Sequence, residues 1–342
     1  MNKSKLILAV VAASTLILSG CGGGGGSTAP AAPTTPPTST ATSTINSVVS
    51  TPSYPTASNQ AVVYSMLNAD RVSCGFGSVS QSTQLDQAAL AHSRWMLLNN
   101  MTGHYESTTY PNGFTGVNPQ DRGVAAGYVY STNAGLESGE GQADVSGQVA
   151  YSPISMLTEL LASPYHEVDL MRGWINIGIG YMDSNAAGTT ATYGARTVMN
   201  VDEGVPSGAT YQVPGPDDVL TYPCQGTTGT ATELANQESP SPVPGRNFVT
   251  SPIGQPIVVE LAFGNTLTLT SATMVDMANG STVALLAPVD SANDPNPGYI
   301  ESNEGYIMPN APLAANTSYQ VTLNGTNNGT AFSRTFSFTT GS

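Results

Sequence analysis

Only three histidines occur in the 342 residues: His92, His104 and His166. An imidazole is the side chain best suited to move a proton or ligate a metal near neutral pH. His166 stands in Ser163-Pro164-Tyr165-His166-Glu167-Val168-Asp169-Leu170-Met171-Arg172-Gly173. Ser163 suits a helix N-cap and Pro164 its first turn, which places His166 in that turn. Ile175, Ile177, Ile179 and Tyr181 then alternate as in a half-buried strand. A histidine fixed just before a core strand is held rigidly. His104 closes the run Asn99-Asn100-Met101-Thr102-Gly103, a loop leaving a helix, where function concentrates. His92 shares an apolar stripe with Leu85, Ala88, Ala89, Trp95 and Met96, and reads as a satisfied core residue.

Other chemistries lack their residues. Both lysines, Lys3 and Lys5, lie in the first five positions, so a later Schiff base or Ser-Lys dyad has no amine to use. No Gly-x-Ser-x-Gly elbow and no phosphate loop is present. With 23 acidic against 9 basic residues and a net charge of −14, the chain has no electrostatic grip on phosphate backbones, and nucleic acid is excluded as a partner.

The N-terminus reads as an export signal over 1–21. Lys3 and Lys5 precede an apolar run from Leu6 to Leu18, too short to span a bilayer. Its end, Leu18-Ser19-Gly20-Cys21, resembles the lipobox of bacterial lipoproteins, with Cys21 as the lipidated residue. The alternative is ordinary secretion with a coincidental cysteine. Carried over, the likeness places the chain in the bacterial cell envelope, held to the membrane through its lipid alone. The outer membrane is favoured, because Gly22 stands where inner-membrane retention uses aspartate. Residues 22–58 are Gly-, Ser-, Thr- and Pro-rich and read as a disordered tether of roughly 30–35 Å.

The elements that must position the histidines follow from periodicity. A core-facing helix is expected over 59–68, ending near Gly75. A second starts at Thr83, where Thr83-Gln84-Leu85-Asp86 has a capping-box pattern. A third begins at Ser152-Pro153 with Ile154, Leu157 and Leu161 buried. Glu159 lies off that stripe, facing water or a cleft. Strands are expected over 175–182 and 192–201, and helices before late strands predict an α+β sandwich over 59–203. Residues 204–246, rich in Pro, Gly, Ser and Thr, read as a connector. Over 247–342, strands at 257–263, 266–273, 282–287, 318–323 and 331–339 predict a small all-β sandwich. Its ending, Pro312 to Val321 and Phe336 to Thr340, resembles bacterial Ig-like domains. Asp290 to Asn296 gathers oxygen atoms that suit calcium, although a polar turn is the favoured reading.

The order Asn68-Ala69-Asp70-Arg71, then Leu85, Ala88, His92 and Met96, then His104, an acidic loop, and Ser163-Pro164-Tyr165-His166 before an Ile-Gly-Ile-Gly strand resembles the CAP superfamily. That superfamily comprises the cysteine-rich secretory, antigen 5 and pathogenesis-related (SCP-like) proteins. The resemblance implies an α-β-α sandwich with a shallow cleft carrying two histidines and usually two acidic residues, and in some members zinc or another divalent cation. The histidines fall on His104 and His166. The first acidic residue falls on Glu137 or Glu140, since no Gly-Glu-Asn is present to decide, and the second on Glu159. Two imidazoles and a carboxylate would leave a zinc position open for water.

Beyond Cys21, Cys74 and Cys224 remain. In an exported chain an even pair reads as a disulfide rather than two free thiols. It would close a loop of about 150 residues, worth on the order of 4–5 kcal/mol in the chain-entropy model. Three functional readings stand. The first is a monomeric, non-enzymatic lipoprotein that binds an envelope ligand, lipid or protein in its His/Glu cleft. The second is a metal-dependent hydrolase of peptide or envelope polymer. The third is a structural or adhesive surface protein.

Overall fold

In the computed structural model, which describes residues 43–133 and 138–342, α1 (Asn59–Cys74) starts at Ser58. The Ser58 side chain accepts from the Ala61 amide. The helix stops where Gly75 turns left-handed at φ 87°, the conformation glycine adopts without Cβ strain. A two-residue strand, β1 (Ser80–Gln81), leads to α2 (Thr83–Asn99). The N-cap of α2 is Ser82, not Thr83, and it accepts from the Leu85 amide. Asp86 is no capping-box partner. It accepts from the Tyr54 hydroxyl, Gln81 and the Ile179 amide, and so fastens α2 to its neighbours.

The chain continues through α3 (Pro119–Ala125), β2 (Ser138–Ser146), α4 (Pro153–Leu160), α5 (Pro164–Met171), β3 (Asn176–Asp183), α6 (Thr190–Tyr193) and β4 (Arg196–Gly204). These strands form one sheet in the order β1-β3-β4-β2, with β1 parallel to β3 and the other pairs antiparallel. The acidic loop expected near 140 is therefore a paired strand from Ser138 onward. The strand expected over 192–201 starts later, at Arg196, after the short α6. Helix α2 lies close on β3. A Cβ at Gly178 would come within 2.0 Å of the Leu85 carbonyl carbon, and one at Gly180 within 2.2 Å of that of Ala89.

The remaining strands are β5 (Leu220–Tyr222), β6 (Thr228–Thr230), β7 (Ile257–Glu260), β8 (Leu267–Asp276), β9 (Val289–Asp290), β10 (Glu304–Ile307), β11 (Ser318–Asn327) and β12 (Thr330–Thr340). They make two four-stranded sheets, β5-β7-β10-β9 and β6-β12-β11-β8. Ile257, Val259 and Ile307 of the first join Leu267, Met274, Val321, Leu323 and Phe338 of the second in one apolar cluster. The strand expected over 282–287 is reduced to isolated bridges at Thr282 and Leu285.

The expected fold, an α-β-α sandwich followed by a separate small Ig-like sandwich, is overturned. Among the described residues the chain is mostly β, with three four-stranded sheets and six helices, four of them of eight residues or fewer. The physical reason lies in composition. Stretches such as 138–146 and 228–230 are rich in Gly, Ser and Thr, poor helix formers that pair into sheets once neighbouring strands cover them. The stretch 204–246 supplies β5 and β6, and the described residues belong to one compact unit. Ala162, Tyr165 and Val168 of the α4–α5 region share an apolar cluster with Leu234, Phe248, Ile253, Val258 and Tyr306. The Cys74–Cys224 disulfide, with Cα atoms 5.4 Å apart, joins the end of α1 to this second part.

Candidate functional site

His104 leaves α2 through Gly103, whose φ of 94° permits the turn. The His104 Nδ1 lies 2.9 Å from Glu140 Oε1 on β2. Arg122 of α3 completes the group. Its guanidinium pairs with Glu140 Oε2 and donates to the His104 carbonyl at 2.9 Å. The carboxylate is buried, and burial alone would keep it protonated. Arg122, His92 and His104 overcome that and hold it well below the usual carboxylate range. An ionised carboxylate only accepts, so the His104 Nδ1 carries the proton. Burial disfavours the His104 imidazolium, but Glu140, assisted by Asp169, outweighs burial and Arg122 and raises its pKa above the ordinary histidine value.

His166, in the first turn of α5, is anchored in a parallel way by a residue from a distant part of the chain. Ser163 is the N-cap by position, yet its hydroxyl donates to the Glu159 carbonyl and caps nothing. The cap is Glu238. Its Oε1 accepts from the amides of Tyr165 at 2.9 Å and His166 at 3.1 Å, and from His166 Nδ1 at 2.9 Å. Glu238 is buried, and a carboxylate at a helix N-terminus is favoured by the helix dipole. One acid thus ends the helix and orients the imidazole.

The two rings face each other with centroids 5.7 Å apart. Their Nδ1 edges are turned to buried carboxylates. The side chains remain 31% exposed at His104 and 15% at His166. Two cavities, of about 650 Å³ and about 430 Å³, meet at the pair, and His104, Tyr105, His166, Ser239 and Tyr299 line both. They form one trough with the histidines at its middle. Its far wall comes from beyond residue 204, through Asn236 to Pro240 and Tyr299.

A second group of charges adjoins the histidines, with Asp169 and Arg172 on the lining of the smaller cavity. Asp169 accepts from the Glu140 amide and from Arg172, which also grips Glu304 of β10 at 2.6 and 2.9 Å. Burial, with Glu304 adding, pushes the Asp169 carboxyl up against the pull of Arg172. Asp202 stands opposite Glu140 in the β2–β4 register, and burial followed by the Glu140 charge keeps it protonated well above the carboxylate range.

The sequence-predicted residues are thus only partly gathered. His104, His166 and Glu140 share the site. Glu159 lines the larger cavity, where burial raises its pKa against a hydrogen bond from Asn236. Glu137 and Cys21 lie outside the described residues. His92 is buried, with Nδ1 3.1 Å from Glu106 and Nε2 3.1 Å from the Gly103 carbonyl, so it steadies the loop that carries His104. The set of two histidines and a glutamate needed for zinc does not converge. Glu140 and Glu238 stand behind the imidazoles, and among the described residues no three of His, Cys, Asp and Glu are placed to hold a metal ion. Arg122, Asp169, Arg172 and Glu238 escaped sequence reasoning. Glu238 sits in a Ser- and Pro-rich stretch with no periodicity to mark it, whereas Asp169 and Arg172 share the motif of His166 and could have been found there. Compared with known proteins, the chain matches no family model and no curated protein.

Proposed function

We propose that the chain is a cell-envelope lipoprotein, anchored through Cys21, that binds a polar ligand non-enzymatically in the trough between His104 and His166. The observation that carries the reading is the pair of imidazoles lining both cavities, each anchored from behind by a buried carboxylate of its own. Orientation by a second group fixes the tautomer, and a fixed Nε2 edge presents one defined hydrogen-bonding atom to a ligand. Glu140 and Glu238 are engaged in orienting, which suits recognition better than attack on a bond.

One native mass spectrum tests both halves of the proposal. The chain is extracted with mild detergent from membranes of the expressing bacterium, wild type beside His104→Ala/His166→Ala. The expected wild-type species begins at Cys21, carries acyl groups, and holds a small-molecule adduct that the double variant lacks. An unacylated chain would sink the anchor. The same adduct on both proteins, or none on either, would sink the trough as a binding site.

A further inference from the structure

The cations of the trough are engaged within the protein. The cations at hand, Arg122 and Arg172, are paired with Glu140 and with Asp169 and Glu304. Asp144 is paired with Arg196, and Glu159, in partial burial, is bonded to Asn236. An anionic ligand would find no cation without breaking a buried pair, which is costly. Of the carboxylates, Glu140, Asp169 and Asp144 face arginines, while Glu159 has only the amide of Asn236. An apolar ligand would strip water from the amides of Gln142, Asn236 and Asn118 without returning hydrogen bonds.

The trough also offers neutral hydrogen bonding and aromatic surface. Tyr105 and Tyr299 line both cavities and are 70% and 50% exposed. Tyr299 is braced by Tyr165 at a ring separation of 5.2 Å, and Arg172 donates to its carbonyl. A braced aromatic left half in water at the middle of a long polar trough offers an apolar face flanked by amide donors and acceptors. The apolar C–H face and hydroxyl rim of a pyranose ring match that arrangement. Resting on the binding role proposed above, we infer that the trough takes a neutral oligosaccharide. Sugar rings would stack on Tyr105 and Tyr299, and hydroxyls would meet the His104 and His166 Nε2 edges.

The test is titration calorimetry of the full chain in detergent with chitotetraose, cellotetraose and xylotetraose, and with a sulfated oligosaccharide as the charged counterpart. Saturable binding of at least one neutral tetramer is expected, with the sulfated sugar bound more weakly. Tyr105→Ala and Tyr299→Ala should each weaken binding about tenfold, the size of a lost aromatic contact. Tyr105→Phe and Tyr299→Phe should bind like wild type, which separates stacking from loss of fold. Failure of all three neutral sugars at about 5 mM, tighter binding of the sulfated sugar, or binding indifferent to both alanine changes would overturn the inference. If the histidine-dependent adduct persists while the sugars fail, the ligand class is wrong and the binding site stands. If both fail, the binding role falls as well.

Discussion

His104 is a contest between two effects of known sign. Burial drives its proton off, and the Glu140 carboxylate, assisted by Asp169, holds it on. The carboxylates prevail, so the folded pKa lies above the ordinary histidine value. Glu140→Gln keeps the shape and removes the charge, leaving burial and Arg122 opposed by Asp169 alone. The His104 titration midpoint, followed by NMR of the ring protons, should drop from above about 6.5 to below it. An unchanged midpoint would show that Glu140 is not its counter-ion. The linkage has a definite direction. The stability contributed by protonated His104 is complete below about pH 6.5 and is lost as pH climbs through the raised value. Much of this residue was legible, since a loop histidine after a helix and an acidic stretch some 36 residues later were both visible. The choice between Glu137 and Glu140 was not, because local sequence does not say which residue of a stretch faces an imidazole.

Among the elements, β3 and α2 carry the most consequence. Their close approach rests on Gly178 and Gly180, where Cβ atoms would enter the backbone of α2. A side chain can rotate away from a clash and a helix backbone cannot. Gly178→Ala should therefore destabilise the protein by about 3 kcal/mol, the upper range for overpacking, as read from the urea midpoint. A cost below about 1 kcal/mol would mean that α2 shifts freely, and the rigid placement of His92 and the His104 loop would go with it. The alternation of Ile177 and Ile179 made this strand readable in advance, as helical spacing and Gly75 did for α1. The N-terminus of α5 was misread in part. Ser163 is the right residue type for a cap, but it is outcompeted by a carboxylate 72 residues beyond His166 that also satisfies the imidazole.

On the scale of the whole molecule, several acids are buried without a matching cation. Burial raises Glu167, Asp202, Glu203 and Glu260 well above their usual range, and Asp70 to about 6. For each, the folded chain holds a proton that the unfolded chain has released, so stability falls as pH rises through the interval between the two pKa values. Glu140 runs the other way, but its contribution is complete above about pH 4.5 and does not change at neutral pH. His104 adds to the majority trend. The urea midpoint at constant salt should accordingly be higher at pH 5 than at pH 8. A midpoint that rises between those values would show that the buried acids are ionised in the fold and paired in some other way.

The residues by themselves determined what depends on near neighbours and composition. This covers the bounds of α1, the strand after His166, a β-rich C-terminal part, the Cys74–Cys224 bridge, and the two histidines worth watching. Periodicity and capping act over three or four residues, so they can be read along a line. Only the tertiary structure decided that Glu238 anchors His166, that Arg172 reaches Glu304, and that Tyr299 walls the trough. Those meetings are set by the apolar cluster in which Tyr165 and Val168 bury against Leu234, Phe248 and Tyr306. Hydrophobic burial is non-directional and indifferent to separation along the chain, so it leaves no period by which partners could be matched in advance.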